Sequence, residues 1–272
     1  TMLSGITIGQ YFPGRSLVHR MDPRVKLVLT FAYIVAVFIP RNWVGMGLAA
    51  GFLVFSVALS RLPLKLVWKS VKPILPLVLF TSVINIFFVD GGDILVDWWI
   101  FHITVRGVVT AVFIALRIVC LIAGSSLLTY TTSPTTLTDA LERLMKPLKL
   151  LHVHVHEIAM MMTIALRFIP TLVEETDKIM SAQKARGADI ESGGLMQRVR
   201  ALIPILIPLF VSSFRRAYEL AMAMECRCYH GGEGRTRMKQ LHMLPRDLVC
   251  LLMMAGLIGG LIVLNILLPA VL

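Results

Sequence analysis

The sequence has 272 residues, of which 57% are hydrophobic and only 16% are charged. Soluble domains usually carry about 25% charged residues, so this composition excludes an ordinary soluble domain and favours a membrane protein. The net charge is +11, and the basic residues lie beside apolar segments. No basic stretch is rich in aromatic residues. We therefore expect a lipid bilayer, and no nucleic acid, as the partner of these charges.

Five apolar segments approach the ~20 residues that a helix needs to cross a bilayer. The first two are separated only by Pro40, Arg41 and Asn42, which predicts a tight helical hairpin. The predicted spans are residues 25–39, 43–59, 74–89, 108–128 and 248–272.

The charges of the connecting segments predict the orientation, because Lys and Arg near span ends are retained in the cytoplasm. Residues 61–72 contain four Lys or Arg and no acidic residue, whereas residues 73–105 contain three acidic residues and no Lys or Arg. The basic residues before the first span place the N-terminus in the cytoplasm of a multi-pass cell-membrane protein. Residues 1–26 lack an apolar core followed by a cleavage site, so we expect no cleaved signal peptide.

The predicted fold class is an all-α integral membrane protein with about five transmembrane helices and a helical cytoplasmic coupling region. Its N-terminal membrane region, residues 1–132, contains four transmembrane helices. Residues 133–245 form the cytoplasmic coupling domain, and residues 246–272 form the C-terminal transmembrane helix.

Four helices are predicted within the coupling domain. Ser133 is a good N-cap before a proline, and the leucines from Leu137 to Leu151 then follow the spacing of an amphipathic helix. The next helices are predicted at residues 155–168, 171–185 and 196–226, and prolines at 204 and 208 should kink the last of them.

Two arginines end the third and fourth of these helices and are the candidate functional residues. The two sites are Ala185-Arg186-Gly187 and Cys226-Arg227-Cys228. Small neighbours leave each guanidinium free at a helix C-terminus, where it can bind a carboxylate through two hydrogen bonds. The alternative is that both arginines are merely solvated.

A metal site is a second possibility, since His152, His156 and Glu157 lie close in sequence. They allow the alternative of a membrane-embedded metal-dependent hydrolase, although the His-Glu-x-x-His pattern fails because Met160 occupies its second histidine position. The glycines from Gly231 to Gly234 lack the Gly-Lys-Ser/Thr of a phosphate-binding loop. We therefore expect no bound cofactor, no metal and no catalytic residue.

Other residues concern packing within the membrane. Arg117, inside the fourth span, is either a polar anchor between helices or reaches an interface through a shifted helix boundary. Gly47 with Gly51 and Gly256 with Gly260 have the small-xxx-small spacing of closely packed helices, and packing within the chain is the expected use.

Several motifs together resemble the T component of energy-coupling factor transporters, the membrane scaffold of prokaryotic vitamin and metal-ion importers. The resemblance covers nearly the whole chain. The motifs are His19-Arg20-Met21-Asp22-Pro23-Arg24-Val25-Lys26, Thr131-Thr132-Ser133-Pro134, Arg167-Phe168-Ile169-Pro170-Thr171-Leu172, Ala182-Gln183-Lys184-Ala185-Arg186-Gly187-Ala188-Asp189 and Gly231-Gly232-Glu233-Gly234-Arg235-Thr236-Arg237.

The resemblance implies that the two arginine sites dock on two ABC-type ATPase subunits. It also implies a separate substrate-binding membrane protein, the S component, and uptake of a vitamin or similar micronutrient without catalysis by this chain. Cys226 and Cys228 depart from the Ala-Arg-Gly pattern, and cysteine lacks glycine's freedom at positive φ. A secondary transporter acting alone is a further alternative, but it predicts more polar residues within the spans than Arg117.

Overall fold

A computed structural model describes residues 11–14, 16–88, 94–98, 101–151, 153–188, 194–231 and 242–268. Most of these residues are helical, which confirms the all-α fold class. The elements are α1 (Pro23–Phe38), α2 (Trp43–Ser60), α3 (Leu64–Val71), a 3-10 turn (Lys72–Ile74), α4 (Leu75–Phe88), β1 (Ile94–Trp98), β2 (Phe101–Thr104), α5 (Val105–Thr131), α6 (Pro134–Leu144), a second 3-10 segment (Lys146–Leu151), α7 (Val155–Ala185), α8 (Leu195–Glu225) and α9 (Pro245–Leu267).

The chain divides into two compact units. The membrane unit consists of residues 10–140 and 240–272, and the α7–α8 unit consists of residues 1–9 and 141–239. The strands β1 and β2 pair antiparallel as a hairpin between α4 and α5. The assignment of residues 133–245 to the cytoplasm stays a prediction.

Every predicted span coincides with a helix, namely α1, α2, α4, α5 or α9. Among the described residues, six helices are long and apolar enough to cross a membrane, which is close to the predicted five. They are Trp43–Ser60, Leu64–Phe88, Val105–Thr131, Val155–Ala185, Arg200–Glu225 and Pro245–Leu267. The 16-residue α1 is a predicted span but is shorter than these six helices and is not one of them. Helices α7 and α8 are among the six, although neither was a predicted span.

Three predicted boundaries were wrong, each for a local reason. The leucine-rich helix ends at Leu144, because Pro147 disfavours helical geometry in the residue before it, and a 3-10 segment follows. The two helices predicted at residues 155–168 and 171–185 are one helix, α7, because Pro170 removes only its own N–H from the hydrogen-bond ladder. The predicted loop at residues 61–72 is largely α3, which leads into α4.

The core of the membrane unit lies where α1, α2, α5 and α9 meet. Tyr33 on α1 is 4% exposed, and its hydroxyl donates to the carbonyl of Ala49 on α2 at 3.2 Å. Its ring lies against Gly124 of α5, where an added Cβ would come within 2.6 Å of Tyr33 Cε1. Gly124 is therefore the close-packing glycine of this core.

The predicted small-xxx-small glycines are not at such contacts. A Cβ added at Gly47, Gly51 or Gly256 would meet no atom within 4 Å, and at Gly260 it would reach only Leu48 at 3.9 Å. The expected use of these pairs in close packing within the chain was therefore wrong, because a spacing does not specify which face of a helix meets its neighbour.

Polar side chains from α5 and α9 hold the turn between α1 and α2. A terminal nitrogen of Arg117 donates to the carbonyl of Pro40 at 2.8 Å, and its guanidinium lies 5.1 Å from the centre of the Phe113 ring. Asn265 of α9 donates to the carbonyl of Ile39 at 2.6 Å. Arg117 is thus an interhelical anchor, the first of its two predicted roles.

Candidate docking site at two arginine-bearing helix ends

The C-terminus of α7 has the hydrogen-bond pattern of a Schellman cap. The N–H of Gly187 donates to the carbonyl of Lys184 at 3.0 Å, and the N–H of Ala188 donates to that of Gln183 at 3.0 Å. Gly187 has φ +85°, a left-handed conformation that glycine adopts without strain. The cap fixes Arg186 as the residue directly before the left-handed turn.

The C-terminus of α8 repeats this geometry 41 residues later. The N–H of Cys228 donates to the carbonyl of Glu225 at 2.9 Å, and the N–H of Tyr229 donates to that of Met224 at 3.1 Å. Cys228 has φ +55° and takes the place of Gly187. The cysteine therefore leaves the backbone pattern intact, and Arg227 holds the position that Arg186 holds on α7.

Both ends are open to solvent. Ala185, Arg186 and Gly187 are exposed, as are Cys226, Arg227 and Cys228. Within the described ranges neither guanidinium has a hydrogen bond or ion pair. A cation beside the last carbonyls of a helix complements the helix dipole and leaves its donors available to an acidic or carbonyl-rich surface.

Helices α7 and α8 run antiparallel, and one carboxylate joins their middles. Glu175 accepts a hydrogen bond from the Ser212 hydroxyl and forms an ion pair with Arg216 at 3.0 Å. Nearer the end of α7, Gln183 contacts Pro204. Because the α8 partner number falls as the α7 number rises, Arg186 and Arg227 lie toward opposite ends of the pair.

A second contact uses a backbone group that proline leaves free. Pro208 has no N–H, so the carbonyl of Pro204, four residues earlier, has no donor in the helix ladder. Nε2 of Gln183 donates to this carbonyl at 3.3 Å. The proline therefore creates the acceptor through which α7 is held beside α8, three residues from Arg186.

The pairing of α7 with α8 gives the distance between the two arginines. Extending it places Arg227 level with α7 about 24 residues before Arg186, which is roughly 36 Å at 1.5 Å per residue. One small surface cannot bind both arginines at that separation. Two surfaces of the same kind, one for each arginine, match the repeated geometry.

The residues of the metal alternative are only partly described. His152 lies outside the described residues, and Glu157 is exposed. Nδ1 of His156 lies 3.0 Å from a carboxylate oxygen of Glu142. Among the described residues no group of three or more His, Cys, Asp or Glu side chains could hold a metal ion. Gly231 is described, with φ +97°, but residues 232–241 of the glycine-rich stretch and after it are not.

Sequence reasoning missed the contacts that hold α7 against α8. The sequence predicted no role for Glu175 or Gln183. A signal was present for Gln183, since Pro204 and Pro208 lie four residues apart and the second leaves the carbonyl of the first without a donor. Those prolines predicted a kink in the helix, and no partner was predicted for the carbonyl.

Comparison with known proteins gives one matching family model, CbiQ, described as cobalt transport protein, over residues 14–238. The chain is also similar to curated transporter proteins. It is 54% identical over 249 residues to the energy-coupling factor transporter transmembrane protein EcfT of Clostridium kluyveri, covering 91% of this chain and 92% of that one.

Two further relatives have the same name. The EcfT of Bacillus subtilis is 47% identical over 260 residues, covering 94% of this chain and 98% of that protein. EcfT 1 of Listeria monocytogenes is 46% identical over 264 residues, covering 97% and 99%. The similarity therefore includes both the membrane unit and the α7–α8 unit.

Proposed function

The chain belongs to the CbiQ/EcfT family, the transmembrane components of energy-coupling factor transporters, and on that premise we propose that it couples two ABC-type ATPase subunits to a separate substrate-binding membrane protein. Membership makes it a multi-pass membrane protein and a transporter component, not a catalytic enzyme. The proposal adds the identity of the partners, the cargo, which is a vitamin or similar micronutrient, and a cytoplasmic N-terminus.

The observation that carries this proposal is the repeated cap. Arg186 and Arg227 have the same position in two Schellman caps, both exposed, toward opposite ends of one antiparallel helix pair. A single partner needs only one such end, whereas two similar ATPase subunits need two. Each arginine would enter an acidic or carbonyl-rich groove on its own subunit.

In this mechanism ATP binding and hydrolysis change the separation of the two ATPase subunits. Each subunit holds one end of the pair, so the movement is transmitted to the rest of the chain and to the substrate-binding protein. The chain transmits a difference in binding free energy between two states and makes or breaks no covalent bond. Its contribution is the spacing and rigidity of the two ends.

Replacing both arginines tests the proposal. Loss of one partner of a buried charge-assisted contact costs about 2 to 5 kcal/mol, so Arg186→Ala or Arg227→Ala alone should weaken ATPase binding and the double variant should abolish it. Lysine at either position should restore function only partly, since it lacks the bidentate fork. The measurement is ATP-dependent substrate uptake by vesicles containing the assembled complex, with co-purification of the ATPases scored in parallel.

Arg215→Ala is the matched control, because Arg215 is also exposed on α8 but lies away from both helix ends. It should leave uptake and co-purification unchanged. Normal uptake by the double alanine variant would remove the two arginines from the mechanism.

A further inference from the structure

Three helix ends of the membrane unit meet in one buried group of charges. Asp22 is the N-cap of α1, Asp247 lies in the first turn of α9, and Lys26 reaches the end of α5. These three residues, which we call the polar clamp, are 5%, 1% and 6% exposed, respectively. Buried charges of this kind are rare in proteins unless they are paired, so each needs a partner.

Lys26 provides the partner for the C-terminus of α5. Its ammonium donates to the carbonyl of Thr131, the last residue of α5, at 3.1 Å, and lies 3.5 Å from Oγ1 of Thr132. It also donates to the carbonyl of His19 at 3.1 Å. The last four carbonyls of a helix lack intrahelical donors, and a cation there also complements the helix dipole.

The two aspartates lie at helix N-termini, whereas Lys26 contacts a helix C-terminus. Asp22 accepts from the N–H of Arg24 at 2.9 Å, and its carboxylate forms an ion pair with the Arg24 guanidinium at 2.9 Å. Asp247 accepts from the N–H of Leu244 at 2.9 Å and from the N–H of Asp22 at 3.4 Å. Each carboxylate lies at a positive helix end, and the last contact joins α9 to α1 directly.

Two of the three places where the chain passes between the membrane unit and the α7–α8 unit lie a short way along the chain from Thr131, which Lys26 contacts, and from Asp247. After Thr131 the chain begins α6 at Pro134, and this helix passes the boundary between residues 140 and 141. The return crosses at residues 239–240, shortly before α9 begins at Pro245. A displacement of the α7–α8 unit that travelled along these two connections would reach α5 at Thr131, which Lys26 contacts, and α9 close to Asp247.

We propose that the polar clamp is a positioning device that makes the ends of α1, α5 and α9 one rigid base, so that displacement of the α7–α8 unit moves these three helices together. Lys26 is its central residue because, of the three clamp residues, it is the one that contacts the end of α5. Without the Lys26 ammonium, displacement of α6 moves α5 but does not move α1 and α9 with it. ATP is then hydrolysed with less transport. This inference rests on the proposed function, since it concerns movement driven by the ATPases.

Lys26→Met in the full complex is the first test, because methionine keeps an unbranched side chain of similar length and removes the ammonium. The number of substrate molecules taken up per ATP hydrolysed should fall about tenfold, within the range by which residues along a coupling network change coupling. Complex assembly should be retained. Lys69→Met is the matched control, since Lys69 is an exposed lysine of the same unit on α3, and it should leave this ratio unchanged.

Amide hydrogen exchange on the purified chain gives a readout that needs no partner. Lys26→Met should speed exchange at the end of α5 and at the starts of α1 and α9 together, whereas Lys69→Met should not. Fast exchange confined to α5 would show that Lys26 caps one helix and would overturn the shared base.

Asp247→Asn is the milder variant if Lys26→Met does not assemble. One amide oxygen cannot carry the charge of a carboxylate that accepts two N–H bonds, so a partial loss of the uptake-to-ATP ratio is expected.

A normal ratio in the assembled Lys26→Met complex, or in Asp247→Asn when the first does not assemble, overturns the inference. If uptake and hydrolysis fall in proportion, the clamp is only structural and the inference also fails. If the unaltered complex shows no ATP-dependent uptake, it is the proposed function that fails.

Discussion

At the scale of single residues, Cys228 shows how the second arginine site departs from the first. It occupies the left-handed cap position with φ +55°, where the equivalent residue of α7 is Gly187 with φ +85°. A residue with a Cβ in the left-handed conformation loses about 1 kcal/mol of conformational free energy relative to glycine. We expect Cys228→Gly to stabilise the end of α8, seen as slower amide exchange at residues 226–229 by roughly fivefold. Gly187→Ala should have the opposite effect on α7, because no atom within 4 Å would meet the added Cβ and backbone strain is the main cost.

Cys226→Gly is the control for this prediction. Cys226 lies two residues before the left-handed position and has no positive φ, so glycine there gains nothing from strain relief and adds chain entropy on unfolding. Exchange at the α8 end should therefore become faster or stay the same. Equal slowing in both variants would show that the thiol, and not the backbone angle, sets the stability of this cap.

At the scale of elements, the contact between α1 and α5 depends on Gly124. An alanine Cβ there would lie 2.6 Å from the Tyr33 ring, whose hydroxyl is held by the Ala49 carbonyl. Overpacking of this kind costs about 1 to 3 kcal/mol. Gly124→Ala should lower the thermal unfolding temperature of the purified protein in detergent. Gly256→Ala on α9 meets no atom within 4 Å and should leave it unchanged or raise it slightly. An equal decrease in both variants would contradict the packing argument.

The existence and order of most helices followed from the sequence because apolar length and caps are local properties, although α3 was predicted as a loop and α7 as two helices. Ser133 before Pro134 marked the start of α6, and Asn42 caps α2 through the N–H of Gly45. Contacts between helices were not predictable in the same way. Gly124 stands alone in sequence, so no spacing distinguished it from the predicted glycine pairs, and only the packed helices show that it faces Tyr33.

The arginine sites could be predicted for a similar reason. Arg186 and Arg227 each lie among small residues at the end of a helix, which is visible in a single sequence. Their docking role comes from the resemblance to a family and stays a proposal. The polar clamp was not visible, because Asp22 and Asp247 are 225 residues apart and meet only when α1 and α9 pack together. Contacts between residues so far apart in sequence are visible only in the folded structure.

At the scale of the whole molecule, the position of α7 and α8 decides whether two arginine sites can act on one side of the membrane. Both helices are long and apolar enough to cross, with a mean hydropathy of 1.3 in their most apolar stretches against 2.4 for α5 and 2.5 for α9. However, α7 also contains Glu174, Glu175, Asp177 and Lys178 in its C-terminal half. A crossing by the whole helix would bring these four charges into the bilayer, where a charge costs up to about 2.5 to 3.5 kcal/mol at the centre, and this cost favours the cytoplasm for α7.

Cysteine labelling distinguishes the two arrangements. If α7 and α8 crossed the membrane, Arg186 and Arg227 would lie on opposite sides, because the two helices are antiparallel neighbours. In a background without the native cysteines, Ala185→Cys and a restored Cys226 should both react with an impermeant thiol reagent only from the cytoplasmic side. Gly92→Cys should react only from outside, since residues 73–105 contain acidic residues and no Lys or Arg. Labelling of Ala185→Cys from outside would mean that α7 crosses the bilayer and that the two arginines cannot dock on a pair of cytoplasmic ATPases.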